Sequence, residues 1–366
     1  MVWLTPEERA EQKRAAIYHT PMWEGDYHGF MKQPTLFEVY QDVGYAEGEK
    51  RLLWDLPGHG EAYADCGSVK AKGCDNTAAH QKHDGMVFVR YFKRSCRRKQ
   101  CPECYEAWAT AEAERALIRF AAFVLGSRMV DRLILKAKRK FRKEPRAVFH
   151  KKLVSKLEKK ILQVKGHKPI HVVLSPPEGL IDDSIEGHQR GKEIAYQLSR
   201  EHGLYGGACV FHPYRLKCSY CGSAIPDYQR KCPECQKEDF SWFWSPHFHM
   251  VGFGWIHHTA EGYQKHGWVI KNLGLRKSLF FTFQYLLSHA GVSKPHTTTW
   301  FGKLSYRMMG RVPVLGAVPE ICPICEAPLK PMVWIGGIDR PPPNMELEKD
   351  PYLNQFLALY SDWRSL

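Results

Sequence analysis

The chain has 366 residues, 44% of them hydrophobic, so it can bury the core of one large domain or of two to three modest ones. Its formal net charge of +14 favours partners that carry negative charge, such as nucleic acid. No apolar stretch of about 18 residues occurs, which excludes a membrane-spanning helix, and the N-terminal segment is too polar for a secretory signal. We therefore predict a cytoplasmic protein without a membrane partner, whose close cysteine pairs are metal ligands and not disulfides.

The N-terminal half is predicted to contain a lead-in segment and a zinc module. Residues 1–60 mix Trp, Tyr, Pro and Gly without a strong period, and we interpret them as a lead-in that packs on the rest. Residues 61–168 are interpreted as a zinc module that leads into a basic helical arm, with a strand at 86–92 and a long helix that begins near Tyr105.

The zinc module offers more cysteines than one site needs. Zinc takes four ligands, and the module has five candidates: Cys66, Cys74, Cys96, Cys101 and Cys104. Cys101 and Cys104 form a C-x2-C pair, which presents two sulfurs from one turn. We favour Cys66 and Cys96 over Cys74 as the other ligands. His80 and His83 are alternatives.

The basic helical arm carries a dense run of positive charge. Residues 127–168 hold 16 Lys or Arg against 3 Asp or Glu. A helix is predicted at about 146–164, with Leu153, Leu157 and Ile161 on its inner face. The rest of that helix is covered by lysines that we expect to contact DNA: Lys151, Lys152, Lys156, Lys159 and Lys160. A surface for a partner protein is the alternative.

Residues 169–310 predict an α+β domain. The hydrophobic period changes from helix to strand at 170–175, and the element order fits an antiparallel sheet with helices on one face. An insertion at about 213–244 has two C-x2-C pairs with the spacing of a closed tetrahedral zinc site: Cys218, Cys221, Cys232 and Cys235.

Two histidines flank one apolar residue in the predicted strand His247-Phe248-His249. Side chains alternate along a strand, so both imidazoles project from the same face and make half of a divalent-metal site. The preceding strand, at 208–211, ends beside His212. Farther along, the apolar segment 279–289 predicts a helix that carries Tyr285.

Residues 311–366 are predicted to form a C-terminal extension with one more C-x2-C pair, Cys322 and Cys325. The sequence leaves open whether this pair forms a third zinc site and whether its other ligands are histidines, distant cysteines or residues of another subunit. Cys209, in an apolar run, is interpreted as a core thiol without a metal.

Several of these motifs, in this order, resemble archaeal rolling-circle replication initiators of plasmids and viruses, which belong to the HUH endonuclease superfamily. The resemblance covers roughly residues 60–310. It rests on the strand ends at Ser175 and His212, the His247-Phe248-His249 strand, the helix with Tyr285, and the segments Ser95-Cys96 and Cys101-Pro102-Glu103-Cys104-Tyr105.

The resemblance implies a role for each matching residue. His247 and His249 would hold a catalytic Mn²⁺ or Mg²⁺ with His212 as third ligand, and Tyr285 would be the nucleophile. The family motif has a lysine three residues after the tyrosine, whereas this chain has Ser288 there. His289 is a substitute in positioning or proton transfer, and Tyr306 and Tyr263 are alternative nucleophiles.

The implied function is nicking and rejoining of single-stranded DNA at an origin through a 5′-phosphotyrosine. The chain has no G-x-x-x-x-G-K-[ST] motif, so unwinding would need a host helicase, and extension of the free 3′ end a host polymerase. Alternatives are an HUH transposase or relaxase and, in another class, a non-catalytic zinc-dependent protein that binds nucleic acid.

Overall fold

The computed structural model describes residues 56–225, 231–292, 296–316, 318–336, 342–345, 347 and 350–366. The predicted lead-in of residues 1–60 lies almost wholly outside this part of the chain. Within it, the structure is α+β, with antiparallel sheets and helices, as the sequence predicts.

Eleven strands and seven α-helices are found in the described residues. The strands are β1 (Val69–Cys74), β2 (Val87–Lys93), β3 (Ile170–Ser175), β4 (Leu204–Cys218), β5 (Ala224–Ile225), β6 (Phe240–Gly254), β7 (Val269–Leu275), β8 (Thr298–Gly302), β9 (Lys330–Trp334), β10 (Gln355–Ala358) and β11 (Trp363–Ser365). The helices are α1 (Tyr105–Leu125), α2 (Ser127–Lys140), α3 (Arg146–Gln163), α4 (Ile185–Glu201), α5 (Thr259–His266), α6 (Leu279–Ser288) and α7 (Tyr306–Met309).

The larger sheet has six strands in the order β5-β4-β6-β3-β7, and β8 pairs with β4 beside β5. All of its pairings are antiparallel. The predicted strands at 170–175 and 208–211 and the His-Phe-His strand thus become three neighbouring strands, β3, β4 and β6. Together they place the histidines in the middle of the sheet and not at an edge.

Helices cover both faces of this sheet, so the prediction of helices on one face is wrong. On one face, Ala195 and Leu198 of α4 pack with Phe248 and Met250 of β6. On the other face, α1, α3 and α6 pack over Val251 and the neighbouring apolar residues. Because apolar residues occupy both sides of β4 and β6, each side needs a helical cover.

The predicted zinc-knuckle insertion is an extension of β4 and β6 themselves. The two strands stay paired from Leu204 with Gly254 out to Cys218 with Phe240. Their register shifts between His212 and Tyr214, at Pro213, which has no N–H to donate to the ladder. The extension therefore carries the two C-x2-C turns of the insertion, Cys218/Cys221 and Cys232/Cys235, beyond the histidines.

The smaller sheet joins two segments that the sequence places in separate units. Its order is β10-β2-β1-β9-β11, so two strands from the predicted zinc module lie among three from the C-terminal extension. Ala71 and Val89 pack with Met332 and Trp363 in its core. Strands β9, β10 and β11 of the predicted C-terminal extension therefore belong to a sheet that begins near residue 69.

The helical layer agrees with most of the predicted helices and adds one. Helices α1 and α3 form where predicted, and Leu153, Leu157 and Ile161 are buried. Helix α2 was not predicted, although Val130, Leu133, Ile134 and Ala137 give it a buried face. In the described residues, no helix is both long and apolar enough to cross a membrane.

Candidate functional site

Three histidines meet on one face of the larger sheet. In the β4–β6 ladder His212 lies opposite His247, and His249 lies opposite Val210. One ring nitrogen of each histidine lies within 4.8 Å of the others, and all three residues are buried. The alternation of β6 thus brings the predicted pair together, and the neighbouring strand adds the third imidazole, as the sequence analysis expected for His212.

The protons of two of these rings are fixed by backbone carbonyls. His247 Nδ1 lies 2.8 Å from Ser245 O, and His212 Nε2 lies 2.7 Å from Leu286 O. A carbonyl only accepts, so each of these nitrogens donates, and the other nitrogen of each neutral ring keeps its lone pair. The lone pair of His212, on Nδ1, is buried without a partner in the described structure, as is His249 Nε2.

Burial keeps the cluster neutral at physiological pH. It lowers the pKa of His247 to about 3, with a further contribution from Arg215, and it lowers the pKa of His212 and His249 well below the usual range, because each histidine would also repel a second charge in the cluster. Neutral imidazoles are the form that binds metal. The donor set of three buried rings and two orphaned nitrogens therefore fits a divalent cation.

A fourth histidine, His171 of β3, supports the cluster and was not predicted. Its Nε2 lies 2.7 Å from His249 Nδ1, and its Nδ1 lies 3.0 Å from Arg276 Nη2. His171 alternates with Ile170 and Val172, whose side chains lie in the core of the opposite face. A polar residue on the histidine face of a central strand is the signal that could have identified it.

Helix α6 brings Tyr285 to the cluster. The rings of Tyr285 and His289 are 5.0 Å apart, and the rings of His289 and His212 are 4.2 Å apart. Arg276 lies within electrostatic reach on the other side: burial lowers its pKa, and Tyr285 opposes that shift. Ser288, at the position where the resemblance would place a lysine, contacts His289 Nδ1 at 2.9 Å.

The two alternative tyrosines lie elsewhere. Tyr306, in α7, is 71% exposed and stacks on Arg119 of α1. Tyr263 is 59% exposed on α5, a helix whose Gly262 approaches Ile270 on the opposite face of the sheet. Neither tyrosine is linked to the three histidines in this way, whereas Tyr285 contacts His289, which in turn contacts His212.

The first cysteine cluster contains four of the five predicted residues: Cys66, Cys96, Cys101 and Cys104. They are the four that the sequence analysis favoured. Cys104 precedes the first turn of α1, and its Sγ accepts from the Cys96 N–H at 3.2 Å. The next residue, Tyr105, donates from its hydroxyl to Leu287 O, so this cluster is tied to the end of α6.

The second cluster is the predicted one in the β4–β6 extension: Cys218, Cys221, Cys232 and Cys235. The sulfurs of Cys218 and Cys235 are 3.4 Å apart, as are those of Cys221 and Cys232. Four convergent thiols leave no place for water, so this cluster could bind zinc in a structural role.

The third cluster answers the question that the C-terminal pair left open. Cys322 and Cys325 meet Cys74, the cysteine left over from the zinc module, and His80. His80 Nδ1 lies 2.8 Å from Met86 O, which directs the Nε2 lone pair to sulfurs 3.3 Å away. A carbonyl that fixes the tautomer of a ligating histidine is the usual support of a zinc site.

The lysines predicted to contact DNA lie on α3 in different surroundings. Lys152 is paired with Glu144 at 3.5 Å, and burial lowers the pKa of Lys151 to about 8. Lys159 is exposed. Burial also lowers the pKa of Lys156, and three neighbouring lysines repel it further: Lys136, Lys160 and Lys140. Lysines of α2 and α3 therefore lie close enough to repel one another.

Comparisons with protein-family models, with curated proteins and with solved structures found no match for this chain.

Proposed function

We propose that this chain is an HUH-type endonuclease that nicks and rejoins single-stranded DNA, as a rolling-circle replication initiator does. One observation carries the proposal: His212, His247 and His249 converge on the face of the sheet that α6, the helix with Tyr285, covers. A structural zinc protein would need neither a buried three-histidine cluster without thiols nor a tyrosine beside it.

The three histidines would hold a Mn²⁺ or Mg²⁺ ion, with Arg276 and His171 behind them. Such an ion would act as a Lewis acid on the scissile phosphate. Three imidazoles suit Mn²⁺ better than Mg²⁺, which prefers oxygen ligands. We therefore expect Mn²⁺ to support more activity in vitro.

Tyr285 would attack the phosphorus. Its Oη forms the new P–O bond while the bond to the 3′ oxygen breaks, which leaves a 5′-phosphotyrosine and a free 3′-OH. The phenolic proton passes to a base, and the departing 3′ oxygen takes up a proton. His289 follows Tyr285 by four residues, and its ring lies 5.0 Å from the tyrosine ring. It is therefore suited to accept the phenolic proton.

Arg276 would stabilise negative charge on the phenolate and on the phosphate. It is half-buried and lies within electrostatic reach of Tyr285. A guanidinium in a partly desolvated site acts more strongly than it does in water. The energy of the phosphodiester is kept in the phosphotyrosine, so rejoining requires no nucleotide cofactor.

The remaining features support a DNA-binding role around this centre. The positive surface of α2 and α3 would contact phosphates of origin DNA, and the cysteine clusters would hold the surrounding loops. In this proposal a host helicase and a host polymerase act on the nicked strand.

The proposal is tested with a randomised, labelled single-stranded DNA library and Mn²⁺. We expect a covalent protein–DNA adduct with wild type, Tyr306→Phe and Tyr263→Phe, and none with Tyr285→Phe or with His247→Ala/His249→Ala. Adducts are separated on denaturing gels, and the attached residue is identified by mass spectrometry.

Two results would contradict this assignment. An adduct that survives Tyr285→Phe would move the nucleophile to another residue. If wild type forms no adduct and added Mn²⁺ does not bind, the chain is better described as a zinc-dependent binding protein without catalysis.

A further inference from the structure

A cleft of about 660 Å³ lies beside α1, on the side where β8 closes the larger sheet. Its walls combine aromatic and positively charged side chains, among them Arg97, Lys99, Arg119, Trp300 and Tyr306, with the hydroxyl residue Thr298 between them. Arg97 and Lys99 belong to the segment between Cys96 and Cys101, two ligands of the first cysteine cluster. The cluster that could bind zinc therefore holds one wall of this cleft.

The charges that line the cleft are not balanced by its own acids. Glu112 is paired with Arg115, and Glu114 with His150. The cationic side chains that line the cleft outnumber these two carboxylates: Arg97, Lys99, Arg115, Arg119 and Arg146. A surplus of positive groups over carboxylates attracts an anion from solution.

Arg119 is held rigidly inside the cleft with part of its guanidinium unused. It is 6% exposed, and its Nε donates to Leu304 O at 2.8 Å. Its Cζ lies 4.8 Å from the centre of the Trp300 ring and 4.5 Å from that of Tyr306. Its Nη2 and the hydroxyl of Thr298 are buried without a hydrogen-bond partner in the described structure. Two orphaned polar groups in one cleft indicate a missing polar ligand.

We infer that this cleft binds a nucleotide of a single-stranded DNA, with its phosphate on the arginines and its base on the aromatic rings. Arginine is suited to planar recognition of phosphate oxygens. Tyr306 is 71% exposed, which leaves ring surface for a base to stack on. Neither feature alone would specify a nucleotide. Together, a phosphate site and an exposed aromatic ring beside it match the phosphate and the base of a nucleotide.

The cleft lies close enough to the histidine cluster for one single-stranded DNA to contact both. Val210 of β4 is paired with His249 on one side and with Thr298 on the other. Neighbouring strands are about 4.8 Å apart, so Thr298 and His249 lie about 10 Å apart along the sheet. The inference rests on the proposed function for the identity of the strand, and it adds a binding subsite that the histidine cluster does not contain.

The test measures binding separately from cleavage. A fluorescent oligothymidylate of about eight nucleotides is titrated into full-length Tyr285→Phe protein, which cannot form the proposed adduct, and anisotropy is followed. In this background, Arg97→Ala/Arg146→Ala is expected to bind about tenfold more weakly. The slope of log K against log salt should also fall by about 0.7, the change expected when one phosphate of a single strand is no longer neutralised.

A second pair of variants tests stacking without a risk to the core. Tyr306→Ala should weaken binding about tenfold, whereas Tyr306→Phe should bind like the parent. The matched control is Arg200→Ala/Lys265→Ala, which also removes two positive charges but from helices α4 and α5 on the opposite face of the sheet. It should keep both the affinity and the salt slope.

Three outcomes would overturn the inference. The first is equal binding by the cleft variants and the control. The second is equal affinity for the oligonucleotide, for thymidine monophosphate and for inorganic phosphate, which would assign the cleft to a free anion. The third is stronger binding of the duplex of the same length.

The two proposals fail separately. Loss of oligonucleotide binding in the cleft variants, with no adduct from wild type on any DNA, would keep this inference and remove the endonuclease. Adduct formation with unchanged binding in the cleft variants would do the reverse.

Discussion

Arg276 determines where the protons of His171 and His249 lie. A guanidinium can only donate, so His171 Nδ1, 3.0 Å from Arg276, accepts. Burial, and then Arg276, lower the pKa of His171 to about 3, so this neutral ring carries its proton on Nε2 and donates it to His249 Nδ1. His249 then carries its own proton on Nε2, the nitrogen that faces the other two histidines.

Binding of a metal ion by His249 Nε2 therefore requires the two histidines to exchange tautomers. The exchanged form places an N–H of His171 against Arg276, where two donors meet. The hydrogen bond from Arg276 to His171 thus opposes metal binding. When a metal ion binds, this hydrogen bond is lost and Arg276 is released. This follows from hydrogen-bond direction alone.

Replacing Arg276 by glutamine should consequently strengthen metal binding. The amide oxygen of Arg276→Gln can accept from His171 Nδ1–H, so the exchanged tautomer is no longer opposed. We expect Mn²⁺ to bind about tenfold more tightly, the usual scale for a change behind a ligating histidine. Adduct formation should fall, because Tyr285 loses a nearby positive charge. Calorimetric titration of Mn²⁺ at neutral pH measures the affinity.

The matched control for Arg276→Gln is Arg215→Gln. Arg215 also lies near the cluster, where it lowers the pKa of His247, but it donates to Ser175 Oγ and does not contact His171. Equal tightening in both variants would mean that Mn²⁺ responds to charge and not to the tautomer.

The residues of the site differ in how far the sequence could predict them. His247 and His249 follow from strand alternation, and four cysteines of the second cluster follow from spacing. His171 and Arg276 could not be found by spacing, because β3 and the start of α6 meet β6 only through sheet pairing and the packing of the chain. The sequence offered His80 and His83 as alternative zinc ligands. Only the packing of β1 against the segment with Cys322 and Cys325 shows that His80 is the one in a cluster.

At the scale of elements, three of the cysteine turns share one backbone form. In each, the residue after the second cysteine donates its N–H to the carbonyl of the first, in Gly222, Gln236 and Glu326. All three residues have positive φ, at 74°, 58° and 64°. These three turns are therefore closed by local hydrogen bonds, which is why the pairs are predictable while their partners are not.

Helix α6 begins on a buried carboxyl group from another helix. Glu158 of α3 accepts from the Phe280 N–H and the Ser278 hydroxyl, both at 2.8 Å, while Ser278 Oγ accepts from the Phe281 N–H at 3.1 Å. Glu158 thus holds the start of the helix whose last turns carry Tyr285. Burial raises the pKa of Glu158 to about 7, although its hydrogen bonds oppose the shift.

This buried acid predicts a loss of stability as pH rises. Below about pH 4.5, Glu158 is protonated in the folded and unfolded states and has no effect. Between about pH 4.5 and 7 the unfolded chain releases its proton first, so the free energy of unfolding falls by about 3 kcal/mol. Glu158→Gln keeps the acceptor oxygen and removes the ionisation, so its stability should decline less from pH 5 to pH 8 in urea unfolding.

Glu186→Gln serves as the control for Glu158→Gln, since Glu186 is an exposed acid in the first turn of α4. Its stability should follow that of wild type across the same range. Parallel curves for wild type and Glu158→Gln would show that Glu158 ionises in the folded protein at its ordinary pKa.

At the scale of the whole molecule, the ends of the described chain are brought together by one cluster and one sheet. Cys74 and His80 precede the larger sheet in sequence, whereas Cys322 and Cys325 follow it. The strands beside them pair in the same way, β1 with β9 and β2 with β10. The sequence predicts each of these segments as local units, but strand pairing across more than two hundred residues depends on the domain between them having folded.

Zinc at the third cluster should therefore stabilise the smaller sheet, since it cross-links two distant segments. We expect three zinc ions per chain, and two in Cys322→Ser/Cys325→Ser, measured by elemental analysis. In that variant, amide exchange of β9 and β10 should accelerate while β4 and β6 stay protected.

Two control variants should keep three zinc ions. His80→Cys retains four ligands, and the thiol removed by Cys209→Ala lies in the core of the larger sheet and in none of the clusters. Unchanged exchange in β9 after loss of one zinc would mean that the apolar contacts of Met332 and Trp363 hold this sheet without the metal.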